Sequence, residues 1–180
     1  MEKSKTLVKK YYFYEKYHQN LYNKLVHILC IPMLVWTTTV FFSYISLFTL
    51  KLEDHSYNIT LAMFVSFLYV SYYLYLDSNL GMISIFLFYF NLVSASNFVN
   101  NNTFGYGMGM SLLLHVTSWF FQIMSHKVFE GNKPALLDSI TQSFSIAPLF
   151  TLLELLFLLG YRKDLDKKLS IYKKIVQKSE

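Results

Sequence analysis

Cysteine is nearly absent from this 180-residue chain: Cys30 stands alone, which excludes both an intrachain disulfide and a cysteine-based zinc motif. Charge is scarce as well. Asp, Glu, Lys and Arg make up 15% of the residues, against roughly a quarter in a soluble domain, while 54% are hydrophobic and 19% aromatic. Cations are rarest in the middle: six lysines precede His27, seven Lys or Arg follow Gly160, and Lys51, Lys127 and Lys133 lie between. The net charge of +5 is therefore a property of the two ends. A nucleic-acid binder interleaves basic residues with its fold, so no nucleic-acid partner is expected; basic ends around an apolar middle read as cytoplasmic flanks that face membrane lipids. The N-terminus lacks a short apolar run ending at a small-residue cleavage site, so no cleaved signal peptide is expected. No fixed-period repeat, low-complexity tract or flexible linker divides the chain. Charge alone marks three parts: a basic segment 1–27, a membrane domain 28–160 and a basic tail 161–180.

Long apolar runs fill the middle part, from about Ile28 to Leu50, Ile59 to Leu76, Met82 to Val99, Met110 to Met124 and Ser139 to Gly160. A helix needs roughly 20 residues, within about 17–25, to cross the hydrocarbon layer, so the first three qualify and the fourth is marginal. The intervening KLEDHSYN, DSNLG, NNNTFGYGMG and EGNKP supply glycine, asparagine and proline for short turns between antiparallel neighbours. Five full spans would put the two basic ends on opposite sides. Pro148 offers a way out, because proline removes a backbone donor and clashes with the preceding turn, which would split the last run into SITQSFSIA and LFTLLELLFLLG. The expected fold is all-α: an integral membrane helical bundle of about four transmembrane helices plus a Pro148-broken fifth segment, with both termini cytoplasmic.

Four of the five histidines lie in two segments, YHQNLYNKLVHILCIP with His18 and His27, and HVTSWFFQIMSHKVFEGNKPAL with His115 and His126. Imidazoles beside apolar sequence are costly unless a metal, a proton path or a hydrogen-bond partner satisfies them, and the clustering suggests a metal site at the edge of the bundle. On a helix Asn23 shares a face with His27, and His126 with Glu130, while His115, Trp119, Gln122 and His126 form one polar and aromatic stripe. Distance limits the ligand set. Continuous helix would separate His115 from His126 by roughly 16 Å and His18 from His27 by roughly 13 Å, so neither pair can hold one ion unless a helix breaks or different segments share the metal. Some of the four would otherwise serve around the metal rather than on it. His55, in the KLEDHSYN turn with Glu53 and Asp54, reads as a solvated loop residue, and Glu154 among leucines must pair inside or sit at the interface.

These two segments resemble the Mpo1-like family, 2-hydroxy fatty acid dioxygenases of the endoplasmic reticulum membrane that were formerly a domain of unknown function. The resemblance runs from about Tyr17 to Pro148 and includes Trp119, Gln122, Phe129, Glu130, Pro134, Ala135, Leu136 and the Ala147-Pro148 pair. Two positions depart from it: Cys30 and Ser125 stand where the family has glycine, and both are small enough to keep the backbone close. The resemblance implies an Fe(II)-dependent dioxygenase that uses O2 to shorten a 2-hydroxy fatty acid by one carbon, with His18, His27, His115 and His126 toward the metal. Glu130, Gln122 and Asn23 are the accompanying catalytic candidates, Glu130 either orienting a histidine or pairing with Lys133. A non-enzymatic lipid-binding or scaffold protein that kept the fold is the alternative. A proton-conducting channel is disfavoured, because the polar groups gather at one membrane face.

Overall fold

Helices dominate the chain, as its long apolar runs require. The computed structural model describes residues 2–53, 55–131 and 138–177. Their order is α1 (Glu2–Glu15), α2 (Leu21–Ser43), β1 (Ser46–Leu52), β2 (His55–Thr60), α3 (Leu61–Leu76), α4 (Ser78–Asn101), α5 (Phe104–Ser125), a π-helical turn (His126–Glu130), α6 (Ile140–Leu158) and α7 (Lys163–Gln177). They form two units, Met1–Ile31 with Phe120–Glu180, and Pro32–Trp119. Packing thus assigns to one unit the two basic ends that charge alone separates.

In the first unit, α1 packs on α6 and α7. Leu7, Val8, Tyr11 and Tyr14 of α1 are buried, as are Ile146, Leu149, Phe150 and Leu153 of α6 and Leu165 and Leu169 of α7. Phe150 meets Tyr11 and Tyr14 at ring centroid distances of 5.1 and 4.4 Å, and Tyr12 meets Tyr172 at 5.5 Å. Glu154 pairs inside, 3.0 Å from Lys24 Nζ and accepting the Tyr11 hydroxyl. Glu15 is likewise buried and paired with Lys173 of α7.

Pro148 does not break the last apolar run: α6 continues through it. The buried contacts on either side outweigh the roughly 3 kcal/mol that an interior proline costs. The chain turns one helix later instead, where α6 and α7 meet at 110° across a short break that contains Gly160 at φ +75° and Arg162 at φ +59°. The left-handed backbone ends α6 as a glycine C-cap does.

The second unit corrects the first apolar run. Ile28 to Leu50 is not one helix: α2 starts earlier and ends at Ser43, and β1 pairs antiparallel with β2, matching Thr49 with Asn58 and Leu50 with Tyr57. Thr49 Oγ1 donates to Asn58 Oδ1 at 2.7 Å. Hydropathy cannot distinguish a helix from a strand rich in Leu, Phe and Thr, and pairing decides it. Asp54 lies outside the described residues, and His55 is exposed on β2, stacked on Tyr57.

α3 and α4 pack together and are joined by Asp77 alone. Its N–H donates to the Tyr73 carbonyl at 2.9 Å, closing α3, and its carboxylate accepts the Leu80 N–H at 3.1 Å, opening α4. Gly81 is therefore not a turn residue. It lies inside α4 where a Cβ would come 2.5 Å from the Leu74 Cα.

α2 and α4 are long and apolar enough to cross a bilayer, and α6 with α7 passes only as a bent pair. α3, at 16 residues, is short. The described residues therefore carry two to three candidate spans where the sequence reading expects about four.

Gly81→Ala is expected to lower the melting temperature of the detergent-solubilised protein, by the equivalent of about 1–3 kcal/mol, because Leu74 backbone must move. Gly105→Ala and Gly109→Ala, in α5 with open space at the Cβ, are expected to leave it unchanged or raise it by up to about 1 kcal/mol.

Candidate metal centre

The turn after α1 delivers His18. Its N–H donates to the Glu15 carbonyl at 2.8 Å, its Nδ1 lies 2.7 Å from the Tyr14 carbonyl, and its ring stacks on Tyr14 at 4.4 Å. His27, one turn past Asn23 on α2, places Nδ1 2.9 Å from the Asn23 carbonyl. A carbonyl only accepts, so both rings carry their proton on Nδ1 and keep a lone pair on Nε2. His126 opens the π-helical turn at the end of α5.

The three rings converge, with centroids 4.4 Å apart for His18 and His27, 4.7 Å for His18 and His126, and 4.9 Å for His27 and His126. All three residues are buried, at 1%, 3% and 2% exposure, and one nitrogen from each lies within 4.8 Å of the others. His18 Nε2 and His126 Nδ1 have no hydrogen-bond partner among the described residues. A buried acceptor left without a donor costs about 1–3 kcal/mol, and a cation would satisfy both at once. Imidazole nitrogens about 2.1 Å from one ion stand roughly 3.0–3.4 Å apart, a closing within reach of ring rotation. The donor set fits a metal of imidazole preference such as iron or zinc.

Burial, followed by the neighbouring His27, pushes the His18 pKa down from 6.5 to about 2 against the opposing bond to Tyr14. Burial also lowers that of His126, with Glu130 opposing. Burial thus favours the neutral form of both rings, the form in which imidazole binds metal. Phe150, 5.2 Å from the His18 ring, walls the cluster on the α6 side.

Around the histidines lies a polar bridge. Asn23 is fully buried; its Nδ2 donates to Glu130 Oε1 at 2.9 Å and its Oδ1 accepts from Ser125 Oγ at 2.6 Å. Glu130 Oε1 also accepts the Asn20 N–H at 2.9 Å, and Asn20 Oδ1 accepts the Tyr22 N–H at 2.9 Å. Glu130 and Asn20 together cap the start of α2, where a carboxylate is favoured by the helix dipole. Lys133, the other partner considered for Glu130, lies outside the described residues, as do Pro134, Ala135 and Leu136. Gln122 is buried one turn before His126, and its carbonyl lies 2.8 Å from Ser125 Oγ.

His115 is not brought to the cluster. It belongs to the second unit, where Trp119 Nε1 donates to its Nε2 at 3.1 Å and its Nδ1 lies 2.8 Å from Thr37 Oγ1. Thr37 in turn donates to the Met33 and Leu34 carbonyls at 3.0 and 3.1 Å, so His115 donates to it and has no lone pair left for an ion. Tyr14, Asn20 and Phe150 escape sequence reasoning. Tyr14 carries a faint signal, standing four residues before His18; Phe150 carries none.

The Mpo1-like family model, described as 2-hydroxy-palmitic acid dioxygenase Mpo1-like, matches residues 4–159. The chain is 31% identical over 159 residues to the 2-hydroxy-palmitic acid dioxygenase MPO1 of Saccharomyces cerevisiae (strain ATCC 204508 / S288c), an alignment covering 87% of this chain and 83% of that protein. No solved structure matches. Matched over most of its length, cluster included, the chain belongs to the Mpo1-like family.

Proposed function

We propose that this protein is an Fe(II)-dependent dioxygenase that shortens a 2-hydroxy fatty acid by one carbon at the surface of the endoplasmic reticulum membrane. Overall, the 2-hydroxy acid and O2 yield the acid one carbon shorter, CO2 and water, with O2 taking up the four electrons the substrate loses. The observation that carries this reading is the buried trio His18, His27 and His126, in which His18 Nε2 and His126 Nδ1 have no hydrogen-bond partner among the described residues, in a chain of a family named for such an activity. His18, His27 and His126 would hold the iron. When bound, iron supplies the redox chemistry that O2 requires and positions open to a hydroxy acid.

The protein's own part is to hold the ligands neutral and aimed. Tyr14 and Asn23 carbonyls fix the tautomers of His18 and His27, and Tyr14 and Phe150 keep water from the His18 face. Leu21, Tyr22, Leu25 and Leu29 on α2 and Val128 and Phe129 on the π-helical turn are exposed and apolar. They suit an acyl chain or lipid tails beside the site, which supports a membrane-bound enzyme. The packing of α1 on α7 supports two basic ends on one side, which we assign to the cytoplasm.

Full-length protein in detergent, loaded anaerobically with Fe(II) and given O2 and 2-hydroxypalmitate, is expected to yield the acid one carbon shorter by mass spectrometry. His126→Gln should abolish both product and iron retention, whereas His115→Gln should retain iron. Bound iron without product would move the substrate to another class. Failure to bind iron would instead favour a lipid-binding scaffold.

Metal affinity is expected to resist mild acid. Two ligands titrating at the ordinary value near 6.5 would cost about tenfold in affinity between pH 7.5 and 6. Because burial takes the His18 pKa far below this range and lowers that of His126 as well, a titration with metal at the two pH values should differ by less. The unfolded chain binds the protons these two refuse, so their contribution to the stability of the metal-free fold declines as pH falls below about 6.5.

A further inference from the structure

Asn23 uses its carboxamide at both ends and its carbonyl besides. Ser125 and Glu130 flank and end the π-helical turn that carries His126, and a π-helical turn is a rare conformation that needs support from outside itself. Gly131, at φ +63°, closes that turn. Asn23 Oδ1 takes the Ser125 hydroxyl, its Nδ2 reaches Glu130, and its backbone carbonyl holds the ring of His27.

We infer that Asn23 is the positioning residue of this metal centre, bridging the two ends of the turn that carries His126 while its carbonyl orients His27, so that one buried residue sets the spacing of two ligands on different elements. The inference rests on the metal reading above. It gives Asn23 and Glu130 a role through the ligands rather than on the substrate, because the Asn23 carboxamide is committed at both ends and Glu130 Oε1 holds both Asn23 and the start of α2. Only a carboxamide does this work: it must accept from a hydroxyl at one end and donate to a carboxylate at the other. Aspartate has nearly the same shape but no donor, and would set a second negative charge against Glu130.

The test is cobalt(II) binding to full-length protein in detergent, followed by visible absorption, which reports coordination geometry without turnover. Asn23→Asp is expected to weaken binding about 10–100-fold, as loss of an orienting partner does at other metal sites, and to alter the spectrum. Ser125→Ala, which removes one end of the bridge without adding charge, should bind severalfold more weakly while its circular dichroism is unchanged; it carries the test if Asn23→Asp does not fold. Unchanged affinity and spectrum in Asn23→Asp or Ser125→Ala would overturn the inference and leave the metal reading standing. No cobalt uptake by the unsubstituted protein would remove both.

Discussion

A neutral imidazole withdrawn from water has one lone pair that must be satisfied, and here three such rings converge. Much of the first unit can be read as the means of tolerating that arrangement. α1 brings Tyr14 beneath His18, α2 offers the Asn23 carbonyl to His27, and α6 closes the side with Phe150. Each contact fixes a ring or excludes water. Hydrogen bonds from Nδ1 to carbonyls direct the free nitrogens of His18 and His27 away from the backbone and make them available as ligands.

Charge inside this unit obeys the same rule of obligatory partners. Glu154 is buried with Lys24 and Tyr11, and Glu15 with Lys173, so each carboxylate that leaves water meets a cation. A buried charge stripped of its partner commonly costs about 3–5 kcal/mol, which ties α1, α2, α6 and α7 to one another more tightly than their apolar contacts alone. Lysines that a reading by charge assigns to solvent or headgroups, Lys24 and Lys173, are in part structural.

Much of the fold was legible. The apolar runs located α3, α4 and α6 to within a few residues, whereas α2 starts and ends about two turns before its run and α5 starts well before its own. What hydropathy could not distinguish was the local backbone. The residues from Ser46 to Leu52 are as apolar as a span but pair as a strand, Gly81 marks a close approach rather than a turn, and Pro148 is carried inside a helix by its packing. At the site, three of the four expected histidines converge. His115 has the same composition around it but spends both nitrogens on Thr37 and Trp119.

The sequence by itself determined which residue types were available: neutral nitrogen ligands instead of thiolates, apolar helices instead of a soluble surface, and small residues at Cys30 and Ser125. Helical spacing also determined that no single helix could supply a whole metal site. Only the tertiary structure decided which histidines meet, because their meeting requires the break after Glu15, the start of α2 and the π-helical turn at His126 together. It also turned Glu130 toward Asn20 and Asn23 rather than leaving its role to helix spacing. The physical reason is common to these cases: composition and periodicity report what a residue can bind, whereas the partner it does bind depends on long-range packing that no local pattern records.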